Sequence, residues 1–423
     1  MLVGLFLSGR KPRVVSNTPN TRMVAPSMKP LSHPSLHRPS LGRLRGALAG
    51  LSLAALFSAP ALAQEARPDQ VFVIDKRSGG VIATSGKVMA NGLEQVLLAD
   101  RDGDEQKFKS DRVRSVTFGA VPASFREGML LRERDDYLNA AAKFKLAAAD
   151  DDARDVVRAS ARLRAAEALL LLGAVDPTAF TDADTAATRF IEEYPSNREL
   201  PQARSIQARA RLATGEFASA AELFRSLYRE GTGAVITPGY NPLFCTTAGL
   251  RGADAYLMAK DTLAAREIYQ ALEARLPGVI AALEEDDSSR SQWIAAQADA
   301  RLGEGLALLT AGSTGQAKAF FDSQVTNAES PAALRFGVTL GKGLVNLAEG
   351  NYRQAQFDLA SVSSIDHTDR NRAARALIGL AQSSLNLPDT GARQQGKVWL
   401  QSVLDHYSDT IWVHHALELL QGL

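Results

Sequence analysis

The stretch GEFASAAELF, beginning at Gly215, returns in outline as GNYRQAQFDLA, beginning at Gly350. Both read Gly, polar, aromatic, any, any, Ala, with a large apolar residue four positions after the Ala. The pattern recurs around Tyr137, Ala140 and Phe144, around Ala186 and Phe190, around Ala265 and Tyr269, and around Gly312, Ala317 and Phe321. Twelve residues before most of these Ala positions stands another small residue: Gly128, Ala208, Ala253, Gly305 and Gly343. For the Phe190 unit Ala165 or Ala166 fills that place. Two antiparallel helices that pack closely need a small residue where each crosses the other, and the turn between them favours Gly, Asp or Asn. One hairpin cannot bury both of its faces, so self-similar hairpins must stack.

These residues resemble the tetratricopeptide repeat family over about 300 residues, from Pro122 to the end, most clearly at 201–230 and 336–365. The resemblance implies six or seven hairpins in a right-handed α-solenoid. With Ala166 as the second unit's small residue, the spacings are 38, 42, 45, 52 and 38, longer than the family's roughly 34. The repeats are thus degenerate, with GTGAVITPGYNP and LEEDDSSRS as insertions. The family's early Trp and its helix-ending Pro are mostly missing; Pro195 and Pro277 are partial matches. FIEEYPSNRELP and the looser copy LDHYSDTIWVHH resemble repeats of bacterial envelope scaffolds.

Charge is unevenly placed. Residues 1–63 hold eight of the 48 Lys and Arg and none of the 47 acids, so the remainder carries 40 bases against 47 acids. A moderately acidic body lacks the clustered positive charge that non-specific nucleic-acid binding needs. The leader reads as a Sec-type signal peptide: Arg43 and Arg45, the apolar run 46–57, and Ala61-Leu62-Ala63 before Gln64. Its excess length suggests a true start at Met23 or Met28, and a transit peptide is the competing reading. Cleavage after Ala63 predicts an exported, periplasmic or extracellular protein. No later stretch approaches the ~20 apolar residues of a membrane span, and no Cys follows the cleavage site to carry a lipid. The one cysteine, Cys245, lies among small and apolar neighbours and reads as a core residue.

Residues 66–120 differ in texture. QVFVID, GVIATSGKVMA, EQVLLAD and QKFKSDRVRSVTFG are short, β-branched runs between Gly and Asp turns, consistent with a small β domain of the SH3- or Sm-like kind, with a strand bent near Gly86. DRDGDE at Asp100–Glu105 offers carboxylates at alternate positions, as a calcium loop does. Glu105 stands where that loop needs Gly, however, and Asp111 where it needs Glu. An Asp-Gly turn between strands explains the same residues. The leader at 1–63, the β segment at 66–120 and helical repeats at 121–423 are therefore the expected divisions.

The sequence offers no Gly-rich phosphate loop, no Gly-x-Ser-x-Gly and no His-Glu-x-x-His. His406, His414 and His415 cluster near the C-terminus, but adjacent His414 and His415 point to different helix faces, so a surface helix fits better than a metal site. We expect no catalysis, no cofactor and no metal. Hairpin solenoids hold partner segments on the concave side, lined by first helices. Arg164 with Glu167, and Ser205 with Arg209, share helical faces. Glu167, Arg209 and Asp254 each follow their unit's small residue by one. These five are the candidate partner-binding residues of an exported interaction scaffold, with a cell-envelope protein as partner. The competing function is recognition of cell-wall glycan, or a role in polysaccharide export, through the β segment. Exposed aromatics there would favour it; Phe72, Phe108 and Phe118 are few and fit a core.

Overall fold

A computed structural model describes residues 67–75, 80–233, 235–366 and 369–423. The leader and its cleavage site lie outside the described residues. Fifteen helices follow five strands among them.

The strands are β1 (Asp69–Ile74), β2 (Val81–Asn91), β3 (Gln95–Ala99), β4 (Glu105–Lys109) and β5 (Val113–Thr117), in the antiparallel order β4-β3-β2-β1-β5. β2 serves both halves of the sheet. Its Val81–Gly86 part pairs with β1 and its Lys87–Asn91 part with β3. The strand turns at Gly86, where a Cβ would stand 2.3 Å from the Ala99 carbonyl oxygen. A short 3-10 turn at Ser110–Arg112 separates β4 from β5. A bent second strand, that turn and the β1–β5 pairing give SH3-like connectivity. Val71, Val73, Val88, Val96, Leu98 and Val113 form its core. DRDGDE makes the turn from β3 to β4, with Asp100 Oδ1 accepting the Asp102 and Asp104 amides, each at 3.0 Å.

The helices pair as antiparallel hairpins: α1 (Ala123–Glu133) with α2 (Tyr137–Ala148), α3 (Asp155–Leu172) with α4 (Ala179–Glu193), and α5 (Leu200–Ala213) with α6 (Phe217–Thr232). Next come α7 (Pro242–Met258) with α8 (Thr262–Ala281), α9 (Arg290–Thr310) with α10 (Thr314–Ser323), and α11 (Ala332–Ala348) with α12 (Tyr352–Ile365). The last pair is α13 (Arg370–Leu385) with α14 (Thr390–His406), and α15 (Val413–Gln421) ends the stack. The helices run from 9 residues in α15 to 21 in α9. Pro195 follows α4 as a helix-ending Pro should, but Pro277 lies inside α8, which runs on to Ala281.

Five hairpin turns share one backbone solution. Asp135, Gly215, Lys260, Gly312 and Gly350 have φ between +57° and +85°. In each turn the next residue's amide reaches back five residues to the first helix, at 2.8 to 3.0 Å. This is the Schellman closure, which glycine enters without a Cβ penalty. It places the following polar residue at the head of the second helix; Asp136 and Asp261 cap α2 and α8 with their side chains.

The small residues do what close crossing requires. Ala140, Ala208, Ala220, Ala253, Ala265, Ala317 and Ala355 are fully buried. Phe321 lies against Gly305 of its own hairpin and Gly341 of the next, and Leu359 repeats this against Gly343 and Gly379. The sixteen-residue offset from Gly305 to Phe321 recurs from Gly128 to Phe144, Ala208 to Phe224, Ala253 to Tyr269 and Gly343 to Leu359, and all five of these large side chains are buried. The two tyrosine-proline-like loops also agree: the Asn197 amide donates to the Tyr194 carbonyl and the Thr410 amide to that of Tyr407. The helices thus form a tetratricopeptide-like α-solenoid with degenerate repeats.

Two long-range contacts complete the architecture. The β segment docks on the first hairpins: buried Asp69 receives both guanidinium nitrogens of Arg154 at 2.7 and 2.8 Å, together with the Val88 and Gly119 amides. Asn91 and Leu93 of the β2–β3 turn hydrogen-bond the loop at Ser196–Arg198. At the other end, α15 packs back onto α5 and the head of α6. His414 Nδ1 lies 2.9 Å from the Ala213 carbonyl, and its ring meets Phe217 edge-on at 5.1 Å.

Candidate interaction surface

The first helices α1 and α3 and the N-terminal cap of α5 carry a connected row of charge. Arg164 donates to Glu167 at 2.7 Å and stands 3.8 Å from Glu199; Arg132 approaches Glu167 at 3.6 Å. Arg198 lies 3.9 Å from Glu199. All are partly desolvated, and the effects are opposed. Burial works against Arg164's charge, yet Glu167 and Glu199 hold its pKa above the usual range. Burial pushes Glu199 up against the pull of Arg164 and Arg198. It likewise pushes Arg198 down.

Of the five sequence-derived candidates, Arg164 and Glu167 belong to this row. Ser205 is half-buried on α5, and its hydroxyl has no hydrogen-bond partner among the described residues. Arg209, one turn on, donates to the Asp409 backbone carbonyl at 2.7 Å. Burial, then the charge of Arg251, depresses Arg209 to about 10, so it stays charged at neutral pH. Asp254 sits further along, on α7, accepting the Tyr269 hydroxyl at 2.9 Å and facing Arg375 at 3.8 Å. Four of the five already have partners within the chain, with which any incoming segment must compete.

Sequence reasoning missed the inner network around α13. Arg372 is buried and bridges Asp366 at 2.6 Å and Asp299 at 2.7 Å. Burial raises Asp299 to about 6, against the pull of Arg372. Arg375 stacks over Trp412 at 4.9 Å. The sequence hinted at this only as acids and arginines on first helices. The histidines also differ from a surface helix. His414 and His415 are half-buried, with Phe217 and Trp412 around them, and burial lowers His415.

On the β segment, Phe108 and Phe118 pack against the core, and Arg154 covers the Phe118 ring at 5.9 Å. Phe72 is half-buried on the opposite face of β1. Cys245 is buried, its thiol pushed up to about 12 by desolvation. No group of three or more His, Cys, Asp or Glu suited to a metal occurs among the described residues. No helix there is long and apolar enough to cross a membrane.

No family model matches the sequence, and no curated protein matches it. Among solved structures, the chain is similar to a tetratricopeptide repeat protein from Parabacteroides merdae. The two are 13% identical, with a TM-score of 0.42, over 70% of this chain and 97% of that one.

Proposed function

We propose that this protein is an exported interaction scaffold that holds a segment of another envelope protein along its inner face. The observation that carries this reading is the row Arg132, Glu167 and Arg164, which runs across α1 and α3 while remaining partly accessible and ends on buried Glu199 at the head of α5. Stacked hairpins turn their first helices toward the concave side and their second helices toward the convex one, so polar groups at equivalent places on first helices form a strip a partner can read. Ion pairs half out of water discriminate between partners more than they add affinity. The reading requires no catalysis, and export rests on the leader at 1–63.

Affinity purification from crosslinked cells tests it, comparing wild type with an Arg164→Gln/Arg209→Gln double variant whose melting curve is checked first. One envelope protein held by wild type and lost by a folded variant is the expected result. A partner held equally by both overturns the inner-face reading, and the absence of any protein partner overturns the scaffold. N-terminal sequencing of the exported product should begin at Gln64; an intact Met1, Met23 or Met28 on a cytosolic product overturns export.

A further inference from the structure

Where α7, α9, α11 and α13 converge, Trp412 closes one side of a cavity of about 90 Å³. That is several times the ~10–15 Å³ that one water needs. Its walls carry Arg251, Arg372, Arg375, Asp254, Asp299 and Asp369. The three carboxylates are committed. Asp299 binds Arg372, Asp254 binds Tyr269 and faces Arg375, and Asp369 accepts the Asn371 and Arg372 amides as the cap of α13.

The cations are not equally satisfied. Arg372 holds two carboxylates, and Arg375 has Asp254 and the Trp412 ring. Arg251 has no hydrogen bond and no ion pair among the described residues. Arg209, close enough to feel Arg251's charge, hydrogen-bonds only a backbone carbonyl. Arg209 on α5 and Arg251 on α7 thus each have no carboxylate within 4 Å. A partly desolvated cation is costly until it meets an anion, and guanidinium is the side chain best shaped for a planar or tetrahedral oxyanion.

We propose that this cavity, lined by both Arg251 and Arg375, binds a small oxyanion, a phosphate or a short carboxylate, held chiefly by Arg251. A ligand there touches α7 and α13 at once and so ties the middle hairpins to the closing ones. This goes beyond the scaffold reading and does not depend on it, because the purified chain alone suffices for the test.

Thermal unfolding is followed while inorganic phosphate, acetate or succinate is titrated, each against sodium chloride of equal ionic strength. A saturable rise in Tm with at least one probe is expected, as binding to the native state alone requires. Which probe saturates separates phosphate from carboxylate. Arg251→Gln should abolish the rise, while Arg189→Gln, an exposed outer-face change, should keep it. If Arg251→Gln does not fold, Arg251→Lys should weaken apparent affinity at least tenfold. No rise beyond matched chloride with any probe, or an undiminished rise in the Arg251 variants, overturns the proposal.

Discussion

Phe321 and Gly341 offer a test of hairpin packing whose sign reverses with context. A Cβ on Gly341 would lie 2.2 Å from Phe321 Cε1 and 2.4 Å from two further ring atoms. That is impossible without displacement, so Gly341→Ala should cost about 1–3 kcal/mol by overpacking. It does so although Ala in a helix interior is favoured over Gly by ~0.5–1 kcal/mol. Phe321→Ala removes a fully buried ring and should cost about 3–5 kcal/mol. In that background the obstacle is gone and the new methyl enters the void. Gly341→Ala should then stabilise by about 1 kcal/mol, a coupling of about 2–4 kcal/mol, at or above the top of the ~0.5–3 kcal/mol range of touching residues. Urea unfolding of the four proteins, followed by far-UV circular dichroism, measures it through the midpoints at constant m. A Gly341→Ala effect of the same sign and size in both backgrounds would refute the contact that spaces one hairpin from the next.

The other predictions concern turns, buried charge and pH. Gly350→Ala should cost ~1–2 kcal/mol from left-handed backbone alone, since nothing lies within 4 Å of its Cβ. Gly215→Ala should cost more, because His414 stands 3.0 Å from that Cβ; chemical denaturation compares the two. Arg372→Met should destabilise by about 3–5 kcal/mol, as loss of one partner of a buried pair does, and adding Asp299→Asn and Asp366→Asn should recover most of it. Asp299, raised to about 6, keeps a proton in the native state that the unfolded chain gives up near pH 4. Its contribution is therefore full below about pH 4 and declines as pH rises through 6. Asp299→Asn should flatten that slope in melts across this window. Asp69 runs the other way. Burial raises its pKa, but the Arg154 hydrogen bonds and the Val88 and Gly119 amides hold it low. Its contribution is present above about pH 4 and lost as pH falls, and Asp69→Asn should loosen amide-exchange protection at Val88 and Gly119.

The hairpins were legible because their determinants are local. The offset from Gly305 to Ala317 to Phe321 repeats the geometry of two crossing helices, and the Gly of three turns marks the left-handed residue. Asp135 and Lys260 adopt the same conformation without advertising it; only their place in the repeat gives them away. Gly86 betrayed the bent strand. What escaped was carried by contacts with no local signature. Asp69 and Arg154 are 85 residues apart, Arg209 and Asp409 200, His414 and Ala213 201. Arg164, Glu167, Arg209 and Asp254 were legible as charged residues of first helices, but not the internal partners that occupy them. Nor was His414's place in the closure, since a histidine on a final amphipathic helix looks the same whether its face meets water or another helix.

The central claim, that the inner face receives a protein segment, is tested most directly by placing a photocrosslinking amino acid at Ser205 in living cells, with Arg189 as the outer-face control. Ser205 lies beside Arg209 on α5, and Arg189 is 64% exposed. The account predicts one discrete adduct from Ser205 and none of that mass from Arg189. An adduct from Arg189 alone, or none from either position, would contradict it.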